Sequence, residues 1–245
     1  MAQYLTFQLY GPLQAYGTVA VGEIRPSGTM PTRSAVLGIL AAALGIRREE
    51  ESRLSELRDG YGVAVREEAP GKVLLDYHTI QTPGARGKRQ LHCRRDELLL
   101  TEPNTILSRR EYLMDALFTT CLWQTSDTAP YSLEELAQAL KSPRWALWLG
   151  RKSCPPALPF APRITNHATP QEAVADYPVD KRVSAKLRSS DAMRMLLDAD
   201  GPHTDTETTM RDVPMHHGRR QFAERKVREL LVRKAATDEV PHVDE

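Results

Sequence analysis

Hydrophobic and polar positions alternate from the start of the chain. Over residues 4–10, Leu5, Phe7 and Leu9 fall on one side, and Tyr4, Thr6, Gln8 and Tyr10 on the other. This period of two predicts a half-buried strand, ended by the turn signal Gly11-Pro12. A glycine-bearing loop, 13–30, follows. Val36, Leu37, Leu40, Ala43 and Leu44 then recur at helical spacing, with Thr32 as N-cap and Gly45 as the C′ residue. Gly38, Ala41 and Ala42 keep this helix thin, as close packing on a sheet requires. Residues 61–66 and 73–79 read as two strands joined by a polar turn at 67–71. Residues 80–110 carry turn residues and cations but few apolar groups, the pattern of a projecting hairpin or loop. A strand-like run resumes at 111–123. Ser132-Leu133-Glu134-Glu135 opens a helix with a capping box, and Leu133, Leu136, Ala137 and Leu140 form its apolar face. Residues 145–149 read as the next strand. The order βαββαβ predicts an α+β fold, ferredoxin-like or RRM-like, with helices on one side of a sheet. Beyond it the pattern is irregular. Pro155, Pro156, Pro159 and Pro162 force an extended segment, 201–209 reads as a polar loop, and 219–232 fits either a strand or a basic amphipathic helix.

A chain of 245 residues, 41% hydrophobic and 27% charged, can bury a core as one large domain or one domain with an insertion. Aromatic residues at 6% argue against an extended stacking platform for bases. The net charge of +1 says little, but its distribution says more. Residues 86–110 hold seven Arg or Lys against three Asp or Glu, and 211–234 hold eight against three. Acids at 49–51 and in the tail offset this surplus. Such runs also read as plain solvated faces. Cys93, Cys121 and Cys154 are isolated and form no ligand set, so neither structural zinc nor any other cofactor is expected, and reduced thiols fit a cytoplasmic protein. No signal-peptide pattern opens the chain. The longest apolar run, 35–44, is too short to span a membrane.

Three segments could meet an anion. The first pairs Gly11–Gly17 with Pro31–Ser34, where helix N–H groups and the Thr32 and Ser34 hydroxyls would attract a phosphate. Arg33 does not complement the helix dipole there, and a partner phosphate would explain it. The second is Gly150-Arg151-Lys152-Ser153, which lacks the GxxxxGK[ST] spacing of a nucleotide-hydrolysing loop. The third is 211–228 with His216-His217-Gly218-Arg219-Arg220, a basic loop without metal-ligand spacing. Nuclease chemistry would draw on Tyr16, His78, His92 or His167, which form no compact motif.

Several stretches occur in a recognisable order: Gly11-Pro12-Leu13-Gln14-Ala15-Tyr16-Gly17, Arg25-Pro26-Ser27-Gly28, Pro31-Thr32-Arg33-Ser34-Ala35-Val36-Leu37-Gly38 and Leu44-Gly45-Ile46. Ile106-Leu107-Ser108-Arg109-Arg110-Glu111-Tyr112-Leu113, Leu149-Gly150-Arg151-Lys152-Ser153-Cys154-Pro155 and Arg211-Asp212-Val213-Pro214 complete the series. The set, running from residue 3 to about 225, resembles the CasD branch of the RAMP superfamily, a subunit family of type I-E CRISPR Cascade. The resemblance implies a ferredoxin-like body, 1–77 and 111–235, with an irregular C-terminal extension. It also implies a β-hairpin thumb at 78–110 and an acidic tail at 236–245. It implies a non-catalytic subunit that caps the 5′ handle of crRNA and links the CasC backbone to the large CasA subunit, meeting target DNA through the assembled complex. The alternative is a metal-independent endoribonuclease that processes precursor crRNA, as in the type I-C sister branch; in type I-E systems CasE cleaves. The RNA contacts it suggests are Gln14, Tyr16, Arg25, Thr32, Arg33, Ser34, Arg86, Lys88, Arg89, Arg109, Arg110, Arg151, Lys152, Arg219 and Arg220.

Overall fold

The computed structural model describes residues 1–83, 90–99, 104–187, 192–198 and 206–233. Elements run in the order β1 (Ala2–Tyr10), β2 (Leu13–Gln14), β3 (Tyr16–Gly17), β4 (Ile24–Arg25), β5 (Ser27–Gly28), α1 (Arg33–Leu44), α2 (Glu51–Asp59), β6 (Tyr61–Ala69) and β7 (Lys72–Thr82). They continue with α3 (Arg94–Leu98), β8 (Asn104–Met114), β9 (Leu117–Gln124), α4 (Leu133–Lys141), β10 (Arg163–His167), α5 (Pro170–Ala175), α6 (Lys181–Ser184), β11 (Ala192–Asp198), β12 (Thr206–His216) and β13 (Gln221–Arg233).

One antiparallel sheet organises the chain, in the order β10-β1-β9-β6-β11-β13-β12. Leu5, Phe7 and Leu9 of β1 share a core with Val36, Leu37 and Leu40 of α1 and Leu133, Leu136 and Leu140 of α4. Both helices start and stop where their local chemistry dictates. Thr32 Oγ accepts from Ala35 N–H, and Gly45 adopts φ 75°. Ser132 and Glu135 form the capping box of α4.

Four expectations are corrected. The first strand is buried on both faces. Tyr4 meets Trp123 edge-to-face at 6.2 Å and joins a second cluster with Ala173 and Val174 of α5, and Gln8 Nε2 donates to Pro159 O. A covering helix far along the chain overrides the half-buried pattern. Residues 73–79 do not continue the sheet beyond β6. They lie in β7, whose one strand partner among the described residues is β8, from Lys72 opposite Met114 to Thr82 opposite Asn104. This hairpin is wider than 78–110, and the strand beside β6 and β1 is β9. Residues 145–149 are not a strand. Their backbone bonds run to loops, Ala15 N–H donating to Leu149 O and Leu149 N–H to Cys154 O, and β10 takes the place beside β1. Only part of the thin face of α1 lies inward: Ala41 is buried in the core and Ala42 packs against it, but Gly38 is exposed, and a Cβ added there would meet nothing within 4 Å.

Residues 221–233 settle as strand β13. The expected loop 201–209 lies outside the described residues up to 205, and its end opens β12. The acidic tail also lies outside them. No helix among the described residues is long and apolar enough to cross a membrane.

Candidate nucleic-acid interface

The loop between β1 and α1 is built from the inside. Gln14 Nε2 donates to Ala116 O, and Tyr16 Oη donates to Gln14 Oε1, both at 2.5 Å. The Tyr16 ring stands edge-on to Phe118 at 6.0 Å. Gln14 and Tyr16 are 0% and 1% exposed, so their side chains buttress the loop and are not contact groups. Burial pushes the Tyr16 hydroxyl well above its ordinary value, which removes it as a general base near neutrality.

Arg33 requires the same correction. Its guanidinium pairs with Asp198 and donates to Arg58 O at 2.6 Å and Tyr61 O at 2.7 Å. Its backbone N–H donates to Asp212 Oδ2 at 2.7 Å. The anion that the helix N-terminus attracts is therefore supplied by β12, not by a ligand. Arg225 completes the cluster, donating to Asp198 and to both Asp212 oxygens. Thr32 is equally committed, its hydroxyl capping α1 and lying 3.0 Å from Ser34 Oγ.

The Gly-Arg-Lys-Ser segment is a bracket. Gly150 has φ 94°, and a Cβ there would sit 1.7 Å from Ala15 O. Only glycine allows this approach. Arg151 donates to Glu111 O at 2.8 Å and Arg25 O at 2.9 Å, and its guanidinium carbon lies 4.7 Å from the Tyr112 ring centroid. It binds the β4 segment to the hairpin base, and Lys152 beside it is exposed.

At that hairpin base β4 runs parallel to β8, with Ile24 opposite Arg109 and Arg25 opposite Arg110. Arg25 and Arg109 are exposed and Arg110 is half-buried, donating to Ser108 Oγ at 3.4 Å. None of the three makes an ion pair among the described residues. In that register Arg25 and Arg110 share one face of the strand pair and Arg109 stands on the other, with Asp76 of β7 opposite Arg110; exposed guanidiniums on both faces of the hairpin base can attract polyanions.

A groove of about 620 Å³ opens over the outer face of α1. Tyr16, Thr32, Ser34, Arg151 and Arg220 of the expected contacts border it, as do Arg48, Trp145, His216, His217 and Phe222. The three segments singled out by sequence thus converge. Trp145 was not anticipated as a site residue because it reads as a strand position; its 43% exposure is the signal that matters. Arg219 and Arg220 stand exposed in the β12–β13 turn. That turn is held by Glu51 of α2, whose carboxylate accepts from His217 N–H at 3.0 Å and Gly218 N–H at 3.2 Å and lies 2.9 Å from His216 Nδ1. Arg86, Lys88 and Arg89 lie outside the described residues. The nuclease candidates are dispersed: Tyr16 is interior, His78 is on β7, His92 precedes α3 and His167 ends β10. Among the described residues no group of three His, Cys, Asp or Glu could hold a metal ion.

Comparison with known proteins gives this architecture its class. Residues 4–228 match the model of the CRISPR-associated protein Cas5 family, and the chain belongs to that family. It is 36% identical over 227 residues to CRISPR system Cascade subunit CasD of Escherichia coli strain K12, covering 92% of this chain and 95% of that protein. Among solved structures, a chain of a CRISPR RNA-guided surveillance complex aligns with TM-score 0.66 and 25% identity, over 94% of this chain and 90% of the other. A crystal structure of a Cas protein aligns with TM-score 0.59 and 27% identity, over 94% and 95%.

Proposed function

We propose that this chain is a non-catalytic Cascade subunit that binds and caps the 5′ handle of crRNA and links the CasC backbone to CasA. Its kinship with CasD over nearly the whole of both chains supports a place in Cascade. The observation that carries RNA binding is the set of exposed cations, Arg25 and Arg109 at the hairpin base and Arg48 and Arg220 bordering the groove, none of which makes an ion pair among the described residues. Arg151, Gln14, Tyr16 and Arg33 hold the surrounding loops and strands in shape. The body is ferredoxin-like in this reading: β1, β6, β9 and β10, the four strands in chain order, lie as fourth, first, third, second across the sheet. The β7–β8 hairpin is the thumb, reaching to the neighbouring backbone subunit, and the irregular C-terminal extension adds β11–β13 beside β6. The wide separation of the nuclease candidates supports the non-catalytic assignment.

The test is titration of labelled 5′-handle RNA with purified protein in EDTA across a salt series. Affinity should fall with a log–log slope of about −0.7 for each phosphate contact. Charge reversal at Arg25, Arg109 or Arg220 should weaken binding, and the RNA should be recovered intact. A flat salt dependence would refute the phosphate contacts. Site-specific cleavage abolished by substitution of His78 or His92 would replace the cap with an endoribonuclease.

A further inference from the structure

The groove over α1 holds an aromatic ring, free cations and an unexplained glycine. Trp145 is 43% exposed although the segment carrying it is fixed. Arg144 N–H donates to Ala43 O at 3.0 Å, and Leu147 and Leu149 on either side of Trp148 are buried in the core. An indole held rigidly with its ring half open loses little entropy on binding a flat partner. Arg48 and Arg220 border the same groove, and neither makes an ion pair among the described residues.

Gly38 lies on the groove face of α1, in mid-helix. Glycine there destabilises a helix by about 0.5–1 kcal/mol relative to alanine. No internal packing requires it, since a Cβ would meet open space. A group approaching the helix from outside would require it. An aromatic face, cations and a cleared floor are together the chemistry of a nucleotide with its base unstacked: ring on ring, phosphate on guanidinium. The volume of about 620 Å³ suits one or two such units.

We propose that one unpaired base of the bound RNA enters this groove and stacks on Trp145, over the floor left open by Gly38, with its phosphate drawn by Arg48 and Arg220. This rests on the RNA-binding reading and adds to it a base-inserting subsite away from the hairpin base.

The test uses the full chain and a labelled handle RNA, with binding read by anisotropy and thermal unfolding recorded for each variant. Trp145→Ala should weaken binding about 5- to 150-fold, the range of base–aromatic stacking, while Trp145→Phe retains most of the affinity. Gly38→Gln places a side chain in the groove from an exposed helix position. It should leave the unfolding temperature unchanged or higher and weaken binding by a similar factor. If both Trp145→Ala and Gly38→Gln bind RNA as the parent does, while Arg109 reversal still weakens binding, the subsite is wrong and the RNA-binding reading stands. If those two variants bind RNA normally but fail to enter the assembled complex, the groove seats a protein and the proposal is overturned. If the parent chain binds no handle RNA, both readings fall together.

Discussion

Asp212→Ala should be the most damaging single truncation in the C-terminal half. Asp212 is 3% exposed and accepts three hydrogen bonds, from Arg33 N–H at 2.7 Å, Arg225 Nε at 2.6 Å and Arg225 Nη2 at 3.0 Å. With Arg33, Asp198 and Arg225 it joins α1 to β11, β12 and β13, and Asp198 also accepts from Val63 N–H of β6 at 2.9 Å. Removing the carboxylate leaves Arg225 with Asp198 as its one ion partner and strips the Arg33 N–H, in the first turn of α1, of its acceptor. Losing one member of a buried pair costs about 3–5 kcal/mol. A cleft lined by Arg33, Asp198 and Arg225 admits water beside the cluster, which places the expected loss near the lower end, about 3 kcal/mol. For a domain of this size that corresponds to roughly 6–12 °C in Tm. The assay is urea unfolding followed by fluorescence and far-UV circular dichroism, with Arg182→Ala as control. Arg182 pairs with Asp180 but its side chain is 89% exposed, so its loss should leave the unfolding midpoint essentially unchanged. The midpoint should fall for Asp212→Ala without a change in slope. A loss under 1 kcal/mol would refute the view that this cluster fastens the two halves of the sheet.

Two further outcomes follow from local geometry. Gly150→Ala should destabilise the fold by at least the roughly 1–3 kcal/mol of a strained backbone, because φ is 94° and the new Cβ would strike Ala15 O; a Tm equal to the parent's would show that the bracket yields. Burial raises the Glu51 carboxyl, but hydrogen bonds from the Gly218 and His217 N–H groups and the His217 ring, with the charge of His216, bring it below 4.5 overall. A lowered folded value means the contact stabilises above that pH and is lost as pH falls through the folded value. The protection factor of the Gly218 amide should therefore fall only in acid below about pH 4.5, and Glu51→Gln should abolish the transition; loss of protection already near pH 6 would contradict it.

Local chemistry made α1 and α4 legible, because a cap or a capping box needs only neighbours three residues apart. The errors share one cause, a partner distant in sequence. Residues 145–149 alternate like a strand, yet the groups that bond the Leu149 backbone are Ala15 and Cys154, neither in a sheet. The true edge strand, Arg-Ile-Thr-Asn-His at 163–167, is short and polar enough to pass as a loop. Arg33 is the clearest case. A cation at a helix N-terminus does suggest a missing anion, and that anion is Asp212, 179 residues away. Pro-Thr-Arg-Ser and Arg-Asp-Val-Pro, two separate stretches in the sequence, each supply one member of a single ion cluster that Asp198 and Arg225 complete.

The arginines divide by what satisfies them, and the division bears on how the surface works. Arg33, Arg151 and Arg225 spend their donors on carboxylates and backbone carbonyls, fixing the loop, the hairpin base and the C-terminal strands. Arg25 and Arg110 sit side by side across β4 and β8, Arg109 stands on the other face, and none of the three makes an ion pair among the described residues. Like charges in register oppose the pairing that holds them; Arg151 bonded to Arg25 O, the Arg109 N–H bonded to Glu23 O and the Ser27 N–H bonded to the Glu111 carboxylate hold the β4 segment against that repulsion. A phosphate chain laid across Arg25 and Arg110 would convert that repulsion into attraction without moving the scaffold. Positioning and charge are thus carried by different residues. A polyanion surface needs that separation, because a guanidinium already bonded to the fold has few donors left for a phosphate.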